Sequence, residues 1–280
     1  MDVVFLDKPG GGERPIGLLC TLYRVWGRCR RKYARAWEKH HERAYFWVSE
    51  GKSSEDAVRY QGLKVELSRA RKKFSAGLLT DLMKAYEHVD HGKLLDFARR
   101  HRFPLALLRM CLAAYSRARR LIVEGVCAAP FSIGGVSLIA GCGFATTLLK
   151  VYLLTVFDMV SRWHKEVELH VFVDDVDVNA SHDTADAAAF AVAKATNRIL
   201  TEFERLGLKV GISKCMVLGS CKKVKDKLAT FMGGLSRGSE IPLKTWGKKA
   251  RSTILYAATS AVQRHEGTAT KGTGALQSGE

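Results

Sequence analysis

The sequence predicts an α+β fold, and three observations predict it. Val171 and Val173 alternate with His170 and Phe172, and Val176 and Val178 with Asp177 and Asn179, the period of two expected of strands. Long stretches almost free of Gly and Pro, such as Leu18 to Val48 and Thr184 to Leu206, have the composition of helices. Helices and antiparallel hairpins follow one another irregularly, which excludes a doubly wound parallel sheet.

In chain order, Leu18 to Val48 mixes Leu19, Leu22, Val25 and Trp26 with Arg24, Arg28, Arg31 and Arg35, as a long helix with one basic face would. Ser53-Ser-Glu-Asp56 reads as a capping box opening a second helix toward Lys73. Ser75 to Thr80 is a short strand ending on Asp81, and His91 to His101 and Pro104 to Ser116 are two short helices, with Pro104 in a first turn. Arg120 to Glu124 and Ala129 to Ile133 read as a hairpin, after which Gly134-Gly135 and Gly141-Cys-Gly143 punctuate a loop. Phe144 to Val160 is the longest apolar stretch; it is shorter than the ~20 residues of a membrane span and is broken by Lys150 and Asp158, so a buried helix is expected. The hairpin around Asp174, the helix from Thr184 to Leu206 and a strand pair around Gly207 to Gly219 complete the pattern.

With 280 residues, 47% of them hydrophobic, a sizeable core is available. Lys and Arg number 45 against 28 Asp and Glu, a formal charge of +17 that calls for a polyanionic partner. The basic residues are spread through many segments, which favours a folded groove along a phosphate backbone over a membrane anchor. Seven cysteines, an odd number without CxxC or Cys/His zinc spacing, argue against a disulfide framework or zinc ribbon. A reducing compartment, nuclear or cytoplasmic, is expected, and no signal peptide is visible. The polar tail from about His265 to Glu280 has a disordered composition.

The chemistry concentrates at Asp174-Asp175, adjacent carboxylates at the tip of a tight hairpin. Two like charges in one turn raise each other's proton affinity unless a cation intervenes, which points to a hard metal with oxygen ligands. A solvated Asp turn is the alternative. Asp81, at the end of its strand and 93 residues before Asp174, is a second candidate ligand or else a helix N-cap. Two strand-end aspartates would clamp a pair of magnesium ions, with manganese as a substitute, of the kind that holds the attacking and leaving oxygens in phosphoryl transfer.

Six segments in order, over about residues 5 to 215, resemble the reverse transcriptase family. Asp81-Leu-Met-Lys-Ala-Tyr-Glu-His-Val resembles its first catalytic motif, and Phe172-Val-Asp-Asp175 its aromatic-x-Asp-Asp box. Ala140-Gly-Cys-Gly-Phe-Ala-Thr-Thr-Leu148 is similar to the loop and helix supporting the templating base and incoming nucleotide. Phe5 to Gly17 resembles the fingers segment that holds the triphosphate, Trp47 to Asp56 the segment after it, and Leu206 to Lys214 the Gly-Leu…Lys segment. Arg14-Pro-Ile-Gly17 and Lys84 to His91 give the resemblance a non-LTR retrotransposon or group II intron flavour.

The resemblance implies a right-hand polymerase: fingers over 1–75, palm over 76–100, a fingers/palm connection over 101–135, palm again over 136–235, and a truncated C-terminal segment over 236–280. An antiparallel palm sheet packed on helices is expected, with the thumb absent or truncated. A chain opening inside the fingers is expected to be a fragment or a decayed copy. Asp81, Asp174 and Asp175 would be the metal ligands, Asp175 the weaker one, and Lys214 the general acid for pyrophosphate, unless it is one more solvated lysine. Lys8 and Arg14 would grip phosphates, Gly141 and Cys142 would lie at the nucleotide, and Tyr86 would be a steric gate excluding a 2′-hydroxyl, its alternative being an ordinary core aromatic. Departures lie at Ala140, Gly143 and Thr146, where the family carries Gln and two prolines, at Glu87 for Asp and at Phe172 for Tyr; Phe231-Met-Gly-Gly234 is a loose echo of the primer grip. The expected activity is RNA-directed DNA synthesis from deoxynucleoside triphosphates on an RNA template with a DNA or RNA primer. The alternatives are a catalytically impaired remnant that binds RNA and an RNA-templated RNA polymerase.

Overall fold

The computed structural model describes residues 1–7, 12–48, 52–233 and 243–245. The chain forms two compact units that interleave in sequence: Met1–Glu42, Leu82–Trp163 and Arg198–Gly211 in the first, Arg43–Asp81, His164–Asn197 and Ile212–Glu280 in the second. Helices and mainly antiparallel strands make up both, as an α+β reading requires.

In the first unit, β1 (Asp2–Asp7) pairs antiparallel with β2 (Glu13–Leu18). On its other edge it pairs parallel with β4 (Arg120–Val123), which joins β5 (Val126–Cys127). The expected second strand at Ala129 to Ile133 is not formed; the chain reverses earlier, through Glu124 and Gly125, both with positive φ, the conformation tight hairpins need. Only Phe131 of the expected strand pairs, as an isolated bridge to Arg119. The first helix, α1 (Thr21–His40), ends eight residues before Val48, its last turn completed by the His41 N–H donating to the Trp37 carbonyl. α3 (His91–Arg100) starts on an Asp90 side-chain cap, and α4 (Leu105–Tyr115) follows Pro104, which sits at the cap and not inside the first turn. α5 (Ala145–Trp163) is the buried helix expected: twelve of its residues are buried, including Leu148, Tyr152, Leu154 and Phe157. No helix among the described residues is long and apolar enough to cross a membrane.

In the second unit, α2 (Ser54–Ala70) opens on the full capping box: Asp56 donates its backbone N–H to Ser53 Oγ at 3.1 Å and accepts the Ser53 N–H at 3.0 Å. β3 (Phe74–Met83) runs past Thr80 through Asp81. β6 (Glu168–Phe172) and β7 (Asp175–His182) form the hairpin, β7 lying beside β3. α6 (Ala185–Leu206) continues the chain, with Thr184 Oγ1 accepting the Ala187 N–H at its start. The segment Gly207 to Gly219 is not a strand pair. β8 (Lys209–Val210) and β9 (Met216–Gly219) each pair with β3 instead, at Leu82–Met83 and Ala76–Leu79, on either side of a 3-10 turn at Ile212–Lys214. α7 (Lys222–Gly233) packs on β9, and β10 (Leu243–Thr245) completes the sheet order β10-β9-β3-β7-β6. The expected disordered tail and truncated C-terminal segment, and Gly234 of the primer-grip echo, lie outside the described residues or, at 243–245, reduce to this short strand.

Register gives the palm-type sheet two unlike faces. Leu78, Val178 and Leu169 occupy one cross-strand row and Thr80, Val176 and Val171 the next, all buried. The opposite face carries Leu79, Asp177 and His170 in one row and Gly77, Asn179 and Glu168 in another. α2 covers this second face. Its Val65 packs on Leu79, Met216 and Leu218, and Gln61 donates a hydrogen bond to Asp177 Oδ2. Asp177 also accepts from Asn179 Nδ2 at 2.7 Å and faces His170 Nδ1 at 3.5 Å, while Glu168 accepts from Tyr60 at 2.6 Å. Burial opposes the charge on His170, but its two carboxylate neighbours outweigh this and push it up to about 9. The same imidazole draws Glu168 down to about 2.

Two predictions follow from this packing. Leu154→Ala, deep in α5, should cost about 2–5 kcal/mol of unfolding free energy, whereas Leu22→Ala on exposed α1 should stay within about 0.5 kcal/mol, both read from denaturant midpoints. Because the folded pKa of His170 is raised from 6.5, its stabilisation is complete below pH 6.5 and is lost as pH rises through about 9. Melting temperature should fall across that window, and His170→Asn should flatten the fall.

Candidate active site

β3 and β7 set the geometry. Antiparallel pairing puts Asp81 directly opposite Asp175, and Asp175 in turn lies opposite Phe172 across β6. Facing residues of an antiparallel pair stand on the same side of the sheet about 4.5–5.5 Å apart, so the two carboxylates share one surface. The reversal between β6 and β7 is the two residues Val173 and Asp174. Val173 holds φ at 59°, a left-handed conformation costly for a β-branched residue, so the turn that carries Asp174 is strained. Asp81 lies within the strand and caps no helix.

Lys214 reaches this surface from the 3-10 turn before β9 and donates a hydrogen bond to Asp81 Oδ2. Its ammonium stands where a bound cation would neutralise that carboxylate. Cys215, the next residue, is buried beside Asp81, and burial pushes its thiol up to about 11, leaving it neutral. Among the described residues no three His, Cys, Asp or Glu side chains gather tightly enough to hold an ion. Asp81 and Asp175 are brought together; Asp174 stays in the turn. The donor set is nonetheless oxygen alone, two facing carboxylates and a third on the adjoining turn, with a lysine ammonium already drawn to it. That chemistry fits a hard divalent ion and not a thiophilic one.

The remaining candidates belong to the first unit, and Lys8 lies outside the described residues. Arg14 is on β2, paired with Leu6 of β1, and is partly exposed. Tyr86 sits in a 3-10 turn, Ala85–His88, entered through a left-handed Lys84. Its ring is half-buried and its hydroxyl meets Thr146 Oγ1 at 3.2 Å, whereas Ala85 beside it is fully in the core. Gly141 has φ of 106°, and a Cβ there would meet the Gly17 carbonyl oxygen at 2.8 Å. Gly17 N–H bonds the Ala140 carbonyl at 2.8 Å, so the Gly-Cys loop is clamped onto β2. Cys142 is buried, its sulfur 3.3 Å from the Tyr23 hydroxyl, which also donates to Cys111 at 3.2 Å. The Cys142 thiol is therefore turned into a buried cluster.

The support beneath the hairpin escaped the sequence reading. Asp177, His170 and Gln61 carry no metal-site signature, yet they tie the two strands bearing Asp174 and Asp175 to α2. The signal was present: polar residues recur at every second position as Glu168, His170 and as Asp175, Asp177, Asn179, the pattern of a strand face covered by polar groups.

Residues 6–233 match the family model described as reverse transcriptase (RNA-dependent DNA polymerase). No curated protein matches the sequence. Among solved structures, the chain is similar to telomerase from Candida tropicalis in complex with a TWJ fragment of telomeric RNA, with TM-score 0.57 and 11% identity over 79% of this chain and 41% of that one. It is also similar to apo telomerase of the same organism truncated from its C-terminal domain, with TM-score 0.54 and 11% identity over 78% and 50%. For the Candida albicans telomerase complex the values are 0.51 and 12% over 77% and 41%. The chain thus spans half or less of these telomerase structures, and identities this low carry the fold alone. Facing strand aspartates, a palm-type sheet and a match over most of the length agree: the chain belongs to the reverse transcriptase (RNA-dependent DNA polymerase) family.

Proposed function

We propose that this chain is the core of an RNA-directed DNA polymerase, in which a primer 3′-hydroxyl attacks the α-phosphate of a deoxynucleoside triphosphate and pyrophosphate leaves. The observation that carries the proposal is the facing of Asp81 and Asp175 across β3 and β7, with Asp174 on the adjoining turn. Asp81, Asp174 and Asp175 would hold two magnesium ions, with manganese as a substitute. When bound, such ions supply neutralisation of charge on the attacking and leaving oxygens. The three carboxylates would keep those ions at this end of the sheet, and Lys214, whose side chain is 68% exposed, donates a proton to the departing pyrophosphate. Lys8 and Arg14 grip phosphate oxygens, the Gly141-Cys142 backbone supports the base pair, and Tyr86 packs under the sugar to exclude ribonucleotides. The formal charge of +17 suits an RNA template and a DNA or RNA primer. A retroelement origin of the non-LTR or group II intron type rests on the Arg14-Pro-Ile-Gly17 and Lys84 to His91 motifs, and an intracellular setting on seven cysteines without a disulfide framework.

A second reading, a remnant that binds RNA without extending a primer, draws on the same charge. Primer extension on an RNA template with magnesium separates the two. Asp174→Asn should lower extension at least about 100-fold while RNA affinity changes less than about two-fold, since the basic surface is untouched. Extension that survives this change would refute the metal assignment; a wild-type chain that shifts RNA but extends nothing would favour the remnant. Tyr86→Ala should admit ribonucleotides, seen as a fall in the ratio of deoxy- to ribonucleotide incorporation efficiency. An unchanged ratio removes the gate and restores the RNA polymerase alternative.

A further inference from the structure

The polar layer beneath α2 opens to solvent as a cavity of about 310 Å³ within the second unit. Its inner wall includes His170, Asn179, Ser75 and Ser181, and Lys64, Arg71, Lys73 and Lys165 also line it. We propose that this cavity binds a phosphate oxyanion, carried free or on the backbone of RNA. The proposal is independent of the polymerase reading.

A buried imidazole sets the ligand's chemistry. His170 is 8% exposed, and its Nε2 has no hydrogen-bond partner among the described residues. The nearest carboxylate oxygen, Glu168 Oε1, is 3.9 Å away, beyond hydrogen-bond reach. Asp177 at Nδ1, itself absent from the cavity lining, keeps the ring protonated, so Nε2 presents a donor that lacks an acceptor. Leaving a charged donor buried and unmatched is costly, and an anionic oxygen in the cavity would satisfy it.

The other groups agree in sign. Both cavity carboxylates are already paired, Glu168 with Tyr60 and Lys64, Glu166 with His164 at 3.3 Å. Arg71 and Lys165 form no ion pair among the described residues. Ser75 and Ser181 share a hydroxyl contact at 3.0 Å, and Ser181 donates to Ser68 Oγ at 2.9 Å, whose own proton goes to the Lys64 carbonyl. A cation entering the cavity would meet occupied carboxylates and four basic side chains, whereas a phosphate would meet those basic side chains and the His170 donor, with Glu166 and Glu168 held by their own partners.

The test is a titration of the full chain with orthophosphate in metal-free buffer, followed through the side-chain ¹⁵N signals of His170 and by calorimetry. One saturable site that moves the His170 Nε2 signal is expected. Arg71→Ala with Lys165→Ala, both exposed and so compatible with folding, should weaken it at least ten-fold without lowering the melting temperature. Asp174→Asn should leave it unchanged, which separates this site from the aspartate surface. If a short single-stranded RNA displaces phosphate from His170, the source is the backbone; if RNA binds and the signal stays, the ligand is free phosphate. A His170 signal that does not move at saturating phosphate, or binding undiminished in the double variant, overturns the proposal.

Discussion

The register between β3 and β7 is the constraint on which everything else depends. Side chains alternate at every residue, so a slip by one position would send Asp81 and Asp175 to opposite faces, drop Asp177 into the apolar layer against Leu78 or Thr80 and turn Val176 and Val178 out of it. Eight consecutive pairs, from Phe74↔His182 to Asp81↔Asp175, hold that register. The last pair carries the carboxylates and the rest make the alignment unambiguous, because one face is mainly apolar and the other rich in polar groups.

Such a sheet has to accommodate charge on one face without losing cohesion. The apolar face needs only burial. On the other, α2 supplies Gln61 and Tyr60 as donors to Asp177 and Glu168, and His170 supplies the compensating positive charge between them. Removing any one partner leaves the others buried and unmatched, which costs more than the contact itself gains. At the far end of the same face Asp81 is met by the ammonium of Lys214, whose side chain is largely exposed. The carboxylate rows thus grade from locked to exchangeable along one strand.

Much of this was legible in the sequence. The buried helix after the Gly-Cys loop, the capping box at Ser53, the long helix before Leu206 and the aspartate hairpin all appear where local pattern placed them, since each is decided by residues close in sequence. What local pattern could not decide was pairing. β8 and β9 read as one hairpin but join β3 separately, because a 3-10 turn at Ile212–Lys214 carries the chain from one station on β3 to the other. The turn at Glu124-Gly125 closes a hairpin whose second strand is only Val126–Cys127, too short for local composition to mark. Asp177 was read as an ordinary alternating polar residue, since its role depends on a helix more than a hundred residues earlier in the chain. Of the site, Asp81, Asp174 and Asp175 were readable as chemistry, and the layer that braces their hairpin was not.

The glycine of the Gly-Cys loop has a mechanical consequence. Gly141 leaves no room for even a methyl group against the Gly17 carbonyl, and the Gly17 amide is bonded to the residue before it. β2, the strand of Arg14, and the loop of Cys142 are therefore one solid piece with no slack at the joint. Whatever pulls on the guanidinium pulls on the loop as well, so the arginine and the loop answer a load together.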